Sequence, residues 1–217
     1  MIKAVIFDFD GLIIDTESLW FEVFRDITLE YGGELTLTDY SSTIGTTSES
    51  LYQHIEKITN EKYNQDEFEM KTNERYDLKK GELILREGVL DYIETASNNG
   101  LKMALATSSS RKWVEGFLTK FKLIQYFDVI RTKDDVKKVK PDPELYLQAT
   151  KALGVDSSEV IVFEDSKNGL TAALAAGLAC VMVPNAVTRH LEFEGHAFTL
   201  NSMSDMSFDQ VIERLTV

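Results

Sequence analysis

The amino-acid sequence predicts an α/β fold, a parallel sheet whose first strand is followed by an inserted all-helical segment. Three observations carry that expectation. Residues 3–9 form a short run of β-branched and aromatic side chains, the pattern of a strand buried on both faces. Beyond Gly88 helical and strand patterns alternate, the order that right-handed crossovers build into a parallel sheet. Between about 16 and 83 there is no strand pattern of comparable strength.

Taken in chain order, the first strand ends in Asp8-Phe9-Asp10-Gly11. From Glu17 to Tyr31 the positions Leu19, Trp20, Val23, Phe24, Ile27 and Tyr31 recur at helical spacing, and Gly32-Gly33 ends that helix. Further helical patterns cover about 47–59 and 64–79. The alternating part then predicts helix 88–98, strand 101–107, helix 110–121, strand 127–131, helix 143–153, strand 159–163, helix 167–176 and strand 179–183. A strand near 197–200 and a helix over 207–215 close the chain. The expected division is an α/β core of residues 1–15 and 84–217 and a helical lobe of residues 16–83. Its hinges fall near Asp15 to Glu17 and Leu83 to Glu87. A length of 217 residues suits one core domain plus a smaller lobe.

Composition narrows the function. With 23 basic against 36 acidic residues the formal charge is −13, which repels a nucleic-acid backbone. The one basic run, Lys133 to Lys140, is broken by Asp134 and Asp135. A small anion could bind only where a metal or a few placed cations reverse the local field. Cys180 is the only cysteine, so no intrachain disulfide forms. The first residues lack a signal-peptide pattern and no apolar stretch approaches the ~20 residues of a membrane span. The expectation is a cytoplasmic monomer with no nucleic-acid or membrane partner.

In open α/β sheets ligands bind outside the carboxyl ends of the strands. Four segments there carry chemistry: Asp8-Phe9-Asp10-Gly11, Thr107-Ser108-Ser109, Lys140-Pro141-Asp142-Pro143 and Glu164-Asp165-Ser166. Singly, each has an ordinary alternative. Asp-Gly after a strand is turn chemistry, Thr107 to Ser110 is a helix N-cap, and Lys140 is a solvated loop lysine. Glu164-Asp165 favours the positive end of the next helix. Their joint order is the informative feature.

That order resembles the haloacid dehalogenase-like superfamily, with its Asp-x-Asp ending strand 1, Thr or Ser ending strand 2, a Lys, and a late acidic pair. The flanking residues agree: Phe7 and Leu12, Ala106, Pro141 to Glu144, Phe163 and Ser166, then Gly169 and Ala175-Ala176-Gly177. The resemblance spans nearly the whole chain and implies a Rossmann-like parallel core with an inserted α-helical cap. The helical insertion, and Asp15-Thr16-Glu17 at its start, resemble the branch containing phosphoglycolate phosphatases, sugar-phosphate phosphatases and β-phosphoglucomutase.

Residues two apart in an extended chain point to one side, so Asp8 and Asp10 can address one ligand. Carboxylates gathered there resist ionising together. A divalent cation removes that conflict, and hard oxygen donors beside phosphate favour Mg²⁺. None of His54, His190 and His196 lies in these motifs, which argues against zinc.

The resemblance implies that Asp8 binds Mg²⁺ and attacks phosphorus, and that Asp10 gives its backbone carbonyl to the metal. Asp165 completes the ligands, with Glu164 beside or behind it. The Asp10 side chain then acts as general acid and later as general base, while Thr107, the Ser108 amide and Lys140 hold phosphoryl oxygens. Gly45, Thr46, Thr47 and Ser48 are the expected substrate loop of the cap. Trp20 is either a substrate contact or cap packing.

Among the alternatives, a phosphorelay receiver domain places its acidic pair on the first strand, an order absent here. A dehalogenase of the same superfamily usually lacks the second aspartate. A sugar phosphomutase carries a histidine where this chain has Trp20, and an arginine where it has Ser48. The expected activity is therefore Mg²⁺-dependent hydrolysis of a small phosphorylated metabolite, with the mutase as the rival and phospho-aspartate signalling or a non-catalytic binding protein as distant alternatives.

Overall fold

The structure is a computed structural model and describes residues 1–43, 48–59 and 63–216. Among the described residues six strands form one sheet: β1 (Ala4–Phe7), β2 (Lys102–Ala106), β3 (Val129–Arg131), β4 (Val160–Glu164), β5 (Ala179–Met182) and β6 (Phe198–Thr199). Their spatial order is β3-β2-β1-β4-β5-β6, and every pairing is parallel. The helices are α1 (Thr16–Glu30), α2 (Leu37–Thr43), α3 (Ser48–Ile58), α4 (Gln65–Lys79), α5 (Val89–Asn98), α6 (Arg111–Lys120), α7 (Glu144–Leu153), α8 (Lys167–Ala175) and α9 (Phe208–Thr216). The fold is the expected Rossmann-like α/β type. Helix α2 was not foreseen, because its sequence LTDYSST lacks an amphipathic repeat; Tyr40 anchors it against Phe21 and Phe24.

Alternation along β1 explains why the strand is apolar throughout. Val5 and Phe7 face a core layer with Met103, Leu105, Ile161 and Phe163, covered by α5, α6 and α9. Ala4 and Ile6 face the other layer with Ala104, Val162 and Cys180, covered by α7 and α8. All four β1 residues are fully buried, and each large apolar side chain so placed is worth ~1.5–3 kcal/mol. Cys180 is thus a small buried core residue.

Helices α1 to α4 share a third apolar cluster of Ile27, Leu35, Tyr40, Leu51, Ile55 and Phe68, which Val187 joins from the loop after β5. The chain segments that enter and leave this helical region run side by side. Ile14 bridges Leu85, and the Arg86 amide donates to the Ile13 carbonyl at 2.9 Å. No helix among the described residues is long and apolar enough to cross a membrane.

Candidate active site

After β1 the chain builds β2 and β3 on one side, then returns to build β4 on the other, so the strand order reverses beside β1. A crevice opens at such a switch point. Phe7 pairs with both Leu105 and Phe163; this register makes neighbours of Asp8 after β1, Thr107 after β2, and Glu164 and Asp165 at the end of β4. Lys140 reaches them from the segment between β3 and α7. Asp8, Asp10, Thr107, Ser108, Lys140, Asp165 and Trp20 all line one cavity of about 560 Å³.

Two glycines make room for the acids. Gly11 has φ +80°, and a Cβ there would lie 2.1 Å from Asp165 Oδ2. A Cβ on Gly169, in the first turn of α8, would lie 1.8 Å from Glu164 Oε1. Backbone this close to carboxylates admits no side chain.

The Lys140 ammonium donates to Asp8 Oδ1 and, at 2.6 Å, to Glu164 Oε1. Tyr146 also donates to Glu164 Oε1 at 2.6 Å. Glu164 Oε2 accepts from the amides of Asp165 and Ser166 at 3.1 and 3.2 Å and from the Ser166 hydroxyl at 3.1 Å. Five donors thus occupy Glu164. Asn185 donates to Asp165 Oδ2 at 2.7 Å, whereas Asp165 Oδ1 is buried with no hydrogen-bond partner among the described residues.

Charge is unbalanced here. Burial, then Glu164, push the Asp8 carboxyl up to about 8 against the pull of Lys140. Burial, then Glu164 and Asp8, drive Asp165 well above the carboxylate range. Burial lowers the affinity of Lys140 for its proton, but Asp8 and Glu164 outweigh it and hold the ammonium above its ordinary value. Asp8, Glu164 and Asp165 offer oxygens within 4.8 Å of one another. An orphaned buried carboxylate oxygen in an all-oxygen, electron-rich pocket fits a hard divalent cation.

On the cap side of the cavity, Asp10 Oδ2 accepts from Ser109 Oγ at 2.6 Å and Oδ1 from the Trp113 indole N–H at 2.9 Å. Burial raises its carboxyl, and those two donors oppose the rise. Glu17 and Trp20, on the first turns of α1, and Tyr76 of α4 complete this wall. Trp20 stacks on Tyr76 with centroids 3.8 Å apart and planes 11° apart. Burial, followed by Asp10 and Asp15, pushes Glu17 up to about 7.

A family model described as haloacid dehalogenase-like hydrolase matches residues 5–183. The chain belongs to that family. Within this haloacid dehalogenase-like group, YhcW of Bacillus subtilis (strain 168), named as a candidate phosphatase, is 44% identical over 216 residues, 99% of this chain and 98% of that one. A phosphorylated carbohydrates phosphatase of Thermotoga maritima is 35% identical over 177 residues, 81% and 82% of the two chains. A Thermotoga maritima crystal structure described as a candidate β-phosphoglucomutase is 30% identical, covers 98% and 99% of the two chains, and superposes with a TM-score of 0.78. The chain is therefore an enzyme of the phosphatase and phosphoglucomutase branch, with phosphate-monoester hydrolysis as its class of reaction.

Among the expected cap residues of this family member, Gly45, Thr46 and Thr47 lie outside the described residues, and of Ser48 only its place at the start of α3 is described. The sequence reading missed the groups that orient the acids. Ser109 and Trp113 hold Asp10, Tyr146 holds Glu164, and Asn185 holds Asp165. Arg86 donates to the Gly11 carbonyl and, at 2.9 Å each, to the carbonyls of Val183 and Pro184, bracing the loop after β1 against the loop after β5. Only Ser109 lay in a motif. The others come from helix faces and loops far apart in sequence, where no local pattern marks them.

Proposed function

We propose that the chain is a Mg²⁺-dependent phosphatase of a sugar monophosphate or a similar small metabolite, reacting through an aspartyl-phosphate on Asp8. The observation that carries this reading is the buried trio at the switch point: Asp8 paired with Lys140, beside an Asp165 oxygen that no donor satisfies. Mg²⁺ would be held by the carboxylates of Asp8 and Asp165 and the backbone carbonyl of Asp10, and would supply positive charge against the phosphoryl oxygens. Glu164, its oxygens taken by five donors, stands behind these ligands and orients Lys140.

In the first step an Asp8 oxygen attacks phosphorus, the Asp8 O–P bond forms, and the bond to the leaving oxygen breaks as Asp10 protonates it. In the second step Asp10 takes a proton from water, which attacks phosphorus and breaks the Asp8 O–P bond, returning Asp8 and releasing phosphate. Thr107, whose Oγ accepts from the Ser109 amide at 3.1 Å, keeps its hydroxyl proton for a phosphoryl oxygen, and the Ser108 amide and Lys140 bind the others. Residues 16–83 act as the cap over a core of 1–15 and 84–217, and Glu17, Trp20 and Tyr76 face the leaving group. The carbohydrate-phosphate activity named for the Thermotoga maritima relative, and for a hexitol phosphatase of Escherichia coli (strain K12) that is 30% identical, supports the substrate class.

The test is phosphate release from a panel of sugar and polyol monophosphates with Mg²⁺ and with chelator, for the parent, Asp8→Asn and Asp10→Asn. Metal-dependent release that falls at least ~100-fold in both variants is expected. Conversion of a sugar 1-phosphate into its 6-phosphate without net release would instead establish the mutase reading, and metal-independent release would refute the metal assignment.

A further inference from the structure

The acid–base role of Asp10 demands a carboxyl whose oxygens are not equivalent, since one of them must face the reacting atoms with its proton available. The two donors that hold Asp10 differ in kind. Indole Nε1–H is donor-only, whereas a serine hydroxyl donates or accepts as it rotates. An oxygen facing a donor-only group does not carry its proton toward that group.

We infer that Trp113 is a positioning residue for Asp10: its indole N–H pins Oδ1 as a permanent acceptor, so that Oδ2, beside Ser109, is the oxygen that gives and takes the proton. Ser109 Oγ meets Oδ2 at 2.6 Å through one lone pair, and because its hydroxyl rotates it does not bar a proton from the other lone pair of Oδ2, the one open to the cavity. The inference rests on the general acid–base reading of Asp10 above and adds to it the atom that acts and the residue that selects it.

The geometry around the indole supports a held rather than a loose ring. Phe117 meets it edge-on from the same helix, with centroids 4.7 Å apart. From the helical lobe, Tyr76 packs at 5.9 Å and the Lys80 ammonium sits 6.0 Å from the ring centroid. Tyr76 in turn is stacked on Trp20. The indole that holds Asp10 is thus clamped between the core and α1 and α4, so the carboxyl is aimed by groups from both parts of the chain.

The consequence is selective for the chemical step. Protonation of the leaving oxygen matters when that oxygen departs as a poor alkoxide and hardly at all when it departs as a stabilised phenolate. The value of kcat/KM reports steps up to leaving-group departure, so the later hydrolysis does not enter it. The experiment compares kcat/KM for the best sugar monophosphate of the panel with that for p-nitrophenyl phosphate, in the parent, Trp113→Phe, Trp113→His and Asp10→Asn, each checked for its circular dichroism and melting temperature.

Trp113→Phe is expected to lose roughly 10- to 100-fold on the sugar phosphate, the scale of a misaimed catalytic group, and less than about 3-fold on p-nitrophenyl phosphate. Trp113→His, which restores a ring N–H, is expected to recover part of the loss even if the Phe variant is poorly folded. Equal losses on both substrates with no recovery by His would leave Trp113 a packing residue and overturn the inference, as would no loss on either. An Asp10→Asn enzyme that keeps parental activity on the sugar phosphate would overturn the acid–base reading itself.

Discussion

Replacing Glu17 by Gln should stabilise the metal-free protein at high pH and do nothing at low pH. Glu17 lies at the start of α1 on the cavity wall; burial, then Asp10 and Asp15, push its carboxyl from 4.5 up to about 7. Because the folded state holds this proton more tightly than the unfolded chain, the native protein binds more protons between those values, and stability falls as pH rises through the window. The stabilising effect is complete below about 4.5 and lost above about 7. At ~1.4 kcal/mol per pH unit, the displacement is worth on the order of 3 kcal/mol. Gln imitates the protonated carboxyl at every pH and removes this slope. For a protein of this size ~1 kcal/mol moves the melting temperature by about 2–4 °C. The variant should therefore melt roughly 6–12 °C above the parent at pH 8 and within a degree or so of it near pH 4. The assay is thermal unfolding from pH 4 to 8 with chelator present, read as the difference between the two proteins so that the slope from Asp8 cancels; Asp165, whose carboxyl Glu17 helps to raise, adds to the difference with the same sign. A difference independent of pH, or a variant less stable at pH 8, would refute the reasoning.

Three further outcomes follow from the same geometry. Gly11→Ala places a methyl 2.1 Å from Asp165 Oδ2 at a backbone angle that already disfavours a side chain; calorimetry should show Mg²⁺ binding weakened by at least ~100-fold, with ~1–2 kcal/mol lost from the metal-free fold. Asn185→Ala removes the donor that fixes Asp165 Oδ2, and the Mg²⁺ concentration for half-maximal turnover should rise about 10- to 100-fold. Tyr146→Phe deletes a donor to the buried Glu164 and should cost about 1–3 kcal/mol in denaturant unfolding, while KM changes less than about 2-fold, under ~0.4 kcal/mol.

The periodicity of the chain settled the sheet, because each strand is only three to five residues long after β6 is set aside and its apolar run needs no distant partner to be recognised. The same holds for Asp8, Asp10, Thr107, Lys140 and Asp165, which follow strand ends in a fixed order and so carry their own address. Gly11 and Gly169 were also visible, although what they leave room for was not. Helix α2 went unseen because its residues favour it weakly and the aromatic cluster of the helical lobe holds it instead.

What only the tertiary structure decided is how the acids are held. Glu164 could have been a ligand or a support from its sequence alone; its five donors come from Lys140, Tyr146 and the turn after β4, and only folding brings them to one carboxylate. Trp113 falls inside the helix expected over 110–121 with no motif around it, yet its ring nitrogen meets Asp10 across more than a hundred residues. Motif order is a property of the chain, because strand ends recur locally. Hydrogen-bond partnership and desolvation belong to the packed whole, since both depend on which distant surfaces exclude water from the same few ångströms.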